Sequence, residues 1–293
     1  MRAIRLCLLL LTAWLSGCGS AGAEAPTIAL ELHARALSPG EPLRIVASSS
    51  QPLRSLSGRF LNDSLFLVSD EERRQWTGWA MIGLDQEPGP TSVELLGVGP
   101  DGEPVGASRA LTIQAKQFPV ERLRVAPKYV EPPKAVQDRL ARERATLAAL
   151  YQRRRASVPD AVPFVRPVHG EPTSTFGTRR LYNDQPRSPH PGLDLRANDG
   201  TPVRSAGEGL VVLAEDLYYS GNTVIVDHGA GLFTIYAHLS RIDVAADDAV
   251  EAGAPIGLSG ATGRVTGPHL HWGAKIGDKP FDPTALLDAA LFE

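Results

Sequence analysis

The order of apolar and polar positions divides the chain into three stretches. Over residues 25–115 the short runs "TIALELH", "PLRIVAS", "SLFLV", "WTGWAMI", "SVELLGV" and "RALTIQA" alternate apolar with polar residues. The turn signals "SPGEP", "EPGP" and "GPDGEP" separate them. Short alternating strands with frequent turns predict a small β-sandwich of the Ig-like kind. The period changes over residues 116–160. In "PKYVEPPKAVQDRLARERATLAALYQRRR" the residues Val136, Leu140, Leu147 and Tyr151 follow at helical spacing behind Pro133, a residue tolerated at a first helical position. This predicts a linker that contains one helix, with the Arg153–Arg155 run where cations suit a helix C-terminus. A solvated helix end is favoured for that run over contact with an anionic polymer. From residue 163 to 293, glycine-punctuated strands return in "GLVVLAED", "GNTVIVDHG", "LFTIYAHLS" and "APIGLSG". They predict a second all-β domain, and only the tail "PTALLDAALF" has a helical period.

The segment before residue 25 fits neither pattern. "MRAIRLCLLLLTAWLSGCGSAGAE" has Arg2 and Arg5 ahead of an apolar run from Leu6 to Leu15, too short to span a bilayer as a mature helix. We expect residues 1–23 to be an export signal. "LSGC" resembles a lipobox, in which Cys18 is lipidated and becomes the mature N-terminus. "AGA" offers an ordinary cleavage site, which would leave a plain secreted protein. The lipobox is favoured, because a cysteine there is otherwise unexplained. Gly19 follows it, with no aspartate to hold the protein at an inner membrane. The expected location is therefore the periplasm, on a lipid anchor in the outer membrane. With two cysteines in the whole sequence and Cys7 removed, no disulfide is expected, and any metal site must draw on His and Asp. A 43% hydrophobic fraction supplies real cores, and a net charge of −3 leaves no basic field to recruit nucleic acid.

Six of the seven histidines fall in the last domain. In "GPHLHWG" a strand would place His269 and His271 on one face and turn Leu270 to the other. "HPGLDLRA" sets His190 four residues before Asp194, and in an extended segment positions 190, 192 and 194 share a face with Gly192 leaving room for an ion. One His, one Asp and a second His, from position 269 or 271, make the three-ligand pattern of catalytic zinc with an open fourth position. His238, at the end of the apolar strand in "YAHLS", could reach the same cleft. Three ligands plus two unliganded imidazoles suit metal-assisted hydrolysis, with one imidazole carrying the proton and the other stabilising an oxyanion.

"HPGLD", "YAHLS" and "GPHLHWG", in this order, resemble the lysostaphin/LytM-type zinc metallopeptidases, as do the flanking "STFGTRR" and "GTPVRSAGEGLV". The resemblance covers about residues 163–285. It implies an antiparallel β catalytic domain with a groove, and hydrolysis of peptide cross-links in bacterial peptidoglycan. It further implies one Zn2+ per chain held by His190, Asp194 and His271, with His238 and His269 as the catalytic pair. The upstream region is similar to exported members that carry a β-sandwich before the catalytic domain. Peptidoglycan stem peptides are then the expected partners, together with a regulatory protein partner and no nucleic acid.

Arg179 and Tyr182 in "FGTRRLYNDQPRSPH" precede the first ligand on a loop that would line the groove, and both are substrate-binding candidates; Asn183 is a weaker one. His228 reads as structural, in a hairpin turn. His169 reads as surface-exposed, and His33 is assigned no chemistry. Two readings compete with the enzyme. A non-catalytic module that binds or activates another wall hydrolase would lack the ligands that are intact here. A carrier domain phosphorylated on histidine sits poorly with an export signal.

Overall fold

The computed structural model describes residues 25–123, 133–159, 162–182, 185–186 and 188–292. Residues 1–23, expected to be an export signal, lie outside the described residues together with Cys18 and Asn183, as does the side chain of Tyr182.

Two four-stranded antiparallel sheets form the N-terminal part. Strands β1 (Ile28–His33), β2 (Pro42–Ser49), β5 (Leu67–Ser69) and β6 (Gln75–Met81) assemble in the order β1-β2-β6-β5. Strands β3 (Ser55–Phe60), β4 (Asp63–Leu65), β7 (Gly89–Val98) and β8 (Pro104–Ile113) assemble as β4-β3-β7-β8. The period-2 alternation turns Leu43, Ile45 and Ala47 of one sheet towards Phe60, Val93 and Leu95 of the other, and these side chains are almost wholly buried together.

After β8 the chain forms a short strand, β9 (Val120–Leu123), and then helix α1 (Gln137–Tyr151) behind a single 3-10 turn at Lys134–Val136. Leu150 and Tyr151 pack on Leu213, Leu217, Ile225 and Phe233, with the Tyr151 and Phe233 rings 5.4 Å apart. The arginine run after the helix is more engaged than a solvated end. Arg154 donates to the Tyr151 carbonyl at 2.9 Å, and Arg155 donates to the Asp227 carbonyl at 2.8 Å.

The remaining strands are β10 (Pro172–Ser174), β11 (Arg179–Tyr182), β12 (Gln185–Pro186), β13 (Gly192–Arg196), β14 (Pro202–Arg204), β15 (Gly209–Leu217), β16 (Gly221–Gly229), β17 (Leu232–Ile242), β18 (Ala249–Val250), β19 (Pro255–Ser259), β20 (His269–Ile276) and β21 (Lys279–Phe281). A ten-stranded sheet runs β10-β13-β20-β17-β16-β15-β18, with β14, β19 and β21 attached at its margins. Its buried face carries Leu193, Leu195, Tyr236, Leu270 and Trp272. The tail predicted as helical forms two 3-10 turns instead, Pro283–Leu287 and Ala289–Leu291. Asp282 and Asp288 each restart the chain there by accepting from a backbone N–H two residues on.

The two β units share one hydrophobic cluster. Val68, Trp79 and Met81 join Phe164, Leu286 and Phe292 in it, and the Phe292 ring lies 6.2 Å from Trp79 and 6.0 Å from Phe164. Arg35 ties the junction by donating to both Glu41 and Asp282. A second junction is made by main chain: β9 runs parallel to β11 and pairs Glu121 with Arg180. These contacts hold the upstream unit beside the loop that leads into the histidine cluster.

Candidate metal centre and catalytic groove

The site is laid out by the pairing of β13 with β20. Their antiparallel register sets Asp194 opposite His271 and Arg196 opposite His269. Directly opposed side chains share a face, and alternation sends Leu195 and Leu270 into the core while the polar residues look into the groove. The tight element is Gly192. A Cβ there would lie 2.8 Å from both Cε1 and Nε2 of the His271 ring and 2.6 Å from the Trp272 carbonyl oxygen. The space at Gly192 thus receives an imidazole, rather than the ion expected from spacing.

Three donor atoms converge. Asp194 Oδ1 lies 3.0 Å from His190 Nε2 and 2.8 Å from His271 Nδ1, and the two nitrogens are 3.1 Å apart. On the far side of the His190 ring, Nδ1 faces the Thr175 carbonyl at 3.1 Å. A carbonyl only accepts, so it holds the proton on Nδ1 and leaves Nε2 as a lone pair. Burial works against charge on Asp194, but hydrogen bonds and charge from His190 and His271 hold its carboxyl well below the usual range. His271 is pushed down, first by burial. A carboxylate and two imidazoles form a donor set for a divalent metal, and they are the cluster of that kind among the described residues.

Two more imidazoles flank the three. His269 Nε2 is 3.8 Å from Asp194 Oδ1, and the His238 ring lies 4.9 Å from that of His269 and 6.0 Å from that of His271. Each has its Nδ1 against a carbonyl: Gly267 for His269 and Thr262 for His238, both at 2.9 Å. Both therefore donate from Nδ1 and present an unprotonated Nε2, which can donate only after it has taken up a proton. Burial pushes His238 down to about 4, the charge at His271 adds to this, and the Thr262 carbonyl opposes it.

His238 is aimed by an irregularity in the backbone. Partners Val224↔Tyr236 and Asn222↔Leu239 show one extra residue on β17, a β-bulge. His238 takes φ +64° there and donates its N–H to the Ser220 carbonyl at 2.8 Å. A left-handed conformation at a residue with a Cβ costs on the order of 1 kcal/mol. The bulge holds it in place.

On β11 the alternation separates two adjacent arginines. Arg179, proposed from sequence to line the groove, pairs with Asp85 at 3.3 Å and is mostly exposed. Arg180, which the sequence reading passed over, turns the other way. Its Nη2 donates to Ser174 Oγ at 2.8 Å and reaches Asp194 Oδ2 at 3.3 Å, while Nε pairs with Glu121 at 3.3 Å. Strand period alone distinguishes Arg179 from Arg180, once the face bearing Asp194 is known. His228 is buried at the end of β16, just before the turn into β17: its Nδ1 meets the Glu208 carbonyl and its Nε2 lies 2.7 Å from Thr234 Oγ1. His169 is exposed, as expected.

Residues 188–283 match the model of peptidase family M23. The chain is 45% identical over 109 residues to the peptidoglycan DD-endopeptidase ShyA of Vibrio cholerae serotype O1, which is 37% of this chain and 25% of that protein. It is 41% identical over 97 residues to the DD-carboxypeptidase/endopeptidase Mpg of Neisseria meningitidis serogroup B, 33% of this chain and 22% of that protein. The chain thus spans about a quarter of the length of these curated relatives. A solved structure of a candidate M23 peptidase from Pseudomonas aeruginosa is similar over 86% of this chain and 96% of its own, with 29% identity and a TM-score of 0.64. That likeness extends over the upstream β unit as well as the histidine-bearing one.

Proposed function

We propose that this protein, which carries a peptidase M23 domain over residues 188–283, is a zinc-dependent endopeptidase that hydrolyses peptide cross-links of bacterial peptidoglycan. The observation that carries the reading is the convergence of His190 Nε2, Asp194 Oδ1 and His271 Nδ1 to within 2.8–3.1 Å of one another. Zinc bonds of about 2.0–2.1 Å at tetrahedral angles set ligand atoms roughly 3.3 Å apart. The three atoms need only open slightly around an ion, and His190 already keeps its proton on Nδ1, against the Thr175 carbonyl, with Nε2 turned to the site. The residues fit zinc.

When bound, zinc supplies Lewis acidity towards a carbonyl oxygen and lowers the pKa of a water ligand to about 7. The chain supplies the rest. His269 accepts the proton of the attacking water at Nε2 and returns it to the leaving amine. His238, held neutral by burial against the opposing pull of its carbonyl partner, presents the lone pair of Nε2 beside His269 and accepts a hydrogen bond from the attacking water. The sandwich and the β9 segment position strand β11, which bears Arg180. Peptidoglycan stem peptides are the substrate class. Export through residues 1–23 and a lipid anchor at Cys18 in the outer membrane would deliver the groove to the wall.

The test is digestion of purified sacculi with and without a zinc chelator, with products identified by mass spectrometry. Chelator-sensitive loss of cross-linked dimers with intact glycan strands supports the proposal. Intact dimers from zinc-loaded protein would instead favour a non-catalytic module that binds or activates another hydrolase.

A further inference from the structure

Arg196 shares a strand face with Asp194 two residues away, and it stands directly across from His269, so its side chain rises beside that histidine. Arg196 also lines a cleft of about 520 Å³, together with Arg166, Val168, His169, Asn198 and Arg204. This size suits a substrate group rather than a lone ion.

The charge of the cleft is unbalanced. Arg166, Arg196 and Arg204 are exposed, and none makes an ion pair among the described residues. Arg204 donates from Nη1 to the Gly253 carbonyl at 2.8 Å. Glu171, whose carbonyl accepts the Arg196 backbone N–H at 2.9 Å, forms no ion pair with either neighbour. Guanidinium groups presented without a carboxylate of their own match a planar carboxylate bidentately.

The wall of the cleft is fixed. Residues 164–170 are tied by main-chain bonds from Phe164 to Leu286, Val165 to Ala206 and Arg204 to Pro167. The same segment presses on β13 at Gly170, where a Cβ would lie 1.7 Å from the Arg196 carbonyl oxygen. Little ordering is left for a ligand to impose.

We propose that this cleft is an anionic-substrate subsite, in which Arg196 and Arg166 bind a free carboxylate of the cross-linked peptide within one or two residues of the scissile bond. The site rests on the endopeptidase reading, because His269 sets its distance from the reacting atoms. Extended peptide advances about 3.3 Å per residue, so a carboxylate further away would pass Arg196.

Cross-linked muropeptide dimers with free carboxylates, and the same dimers with those carboxylates amidated, test the subsite on the full zinc-loaded chain. Wild type should favour the free acid about tenfold or more in kcat/KM, expressed in KM, since a charged hydrogen bond is worth a factor of this order. Arg196→Gln and Arg166→Gln should raise KM for the acid and erase the preference. Equal cleavage of both dimers by wild type, or a preference that survives both substitutions, overturns the subsite. If neither dimer is cleaved, the endopeptidase reading fails, and titration of both dimers into the chelator-treated chain decides the subsite alone. Tighter binding of the acid that weakens with salt supports it, and equal binding overturns it.

Discussion

Arg180 Nη2 lies 3.3 Å from Asp194 Oδ2, on the side of the carboxylate away from the oxygen shared by His190 and His271. The contact occupies one carboxylate oxygen and leaves the other for a metal, so in the proposed site Arg180 would orient the ligand. Replacing Arg180 with Met should lower zinc affinity about 10–100-fold, the usual effect of losing a partner behind a ligand. Competition against a chromophoric chelator measures it. Arg180→Lys should recover only part of the loss, because an ammonium cannot bridge Ser174, Glu121 and Asp194 as the guanidinium does. Unchanged affinity in Arg180→Met would show the contact to be incidental.

Removal of one imidazole at a time separates binding from proton transfer. His271→Ala should abolish stoichiometric zinc by metal analysis. His269→Ala should retain zinc and lose on the order of 10²–10⁴ in kcat, the range for a general acid–base residue. An empty site in His269→Ala would mean that His269 belongs with the ligands.

Gly192→Ala is a small change with a large expected effect. The added methyl would occupy the position of the His271 ring, 2.8 Å from Cε1 and Nε2, against a backbone carbonyl that cannot retreat. We expect weakened zinc binding and a lower melting temperature in the same variant. Full zinc occupancy at wild-type affinity would refute the close fit.

His228 sets a pH dependence of stability. Burial pushes it down from 6.5 to about 4 in the folded chain. The unfolded chain therefore binds the extra proton between these two values. Stability should be fully present above about pH 6.5 and fall as the pH drops towards 4, by roughly 3 kcal/mol from this group. Denaturant midpoints across that window, measured on the zinc-free chain, should fall less steeply for His228→Gln than for wild type. Parallel slopes would assign the dependence to other groups.

Much of this was legible along the chain. Alternation in "GPHLHWG" put His269 and His271 on one face, because a strand repeats every two residues wherever it is placed. The β-sandwich pattern and the helix ending near Tyr151 are likewise local signals. The tail from Pro283 misled because its apolar spacing answers to burial in the shared cluster, where two aspartate-capped 3-10 turns serve as well as a helix.

The tertiary structure decided which of these side chains meet. Asp194 and His271 face each other only through the β13–β20 register, across 77 residues of sequence. The outward turn of Arg179 and the inward turn of Arg180 depend on where β9 and β11 pair. The aim of His238 comes from a bulge that no propensity announces. The chain's chemistry is written in residue types and short spacings, which act locally. The choice of partners rests on strand pairing and packing between distant segments, which no single segment contains.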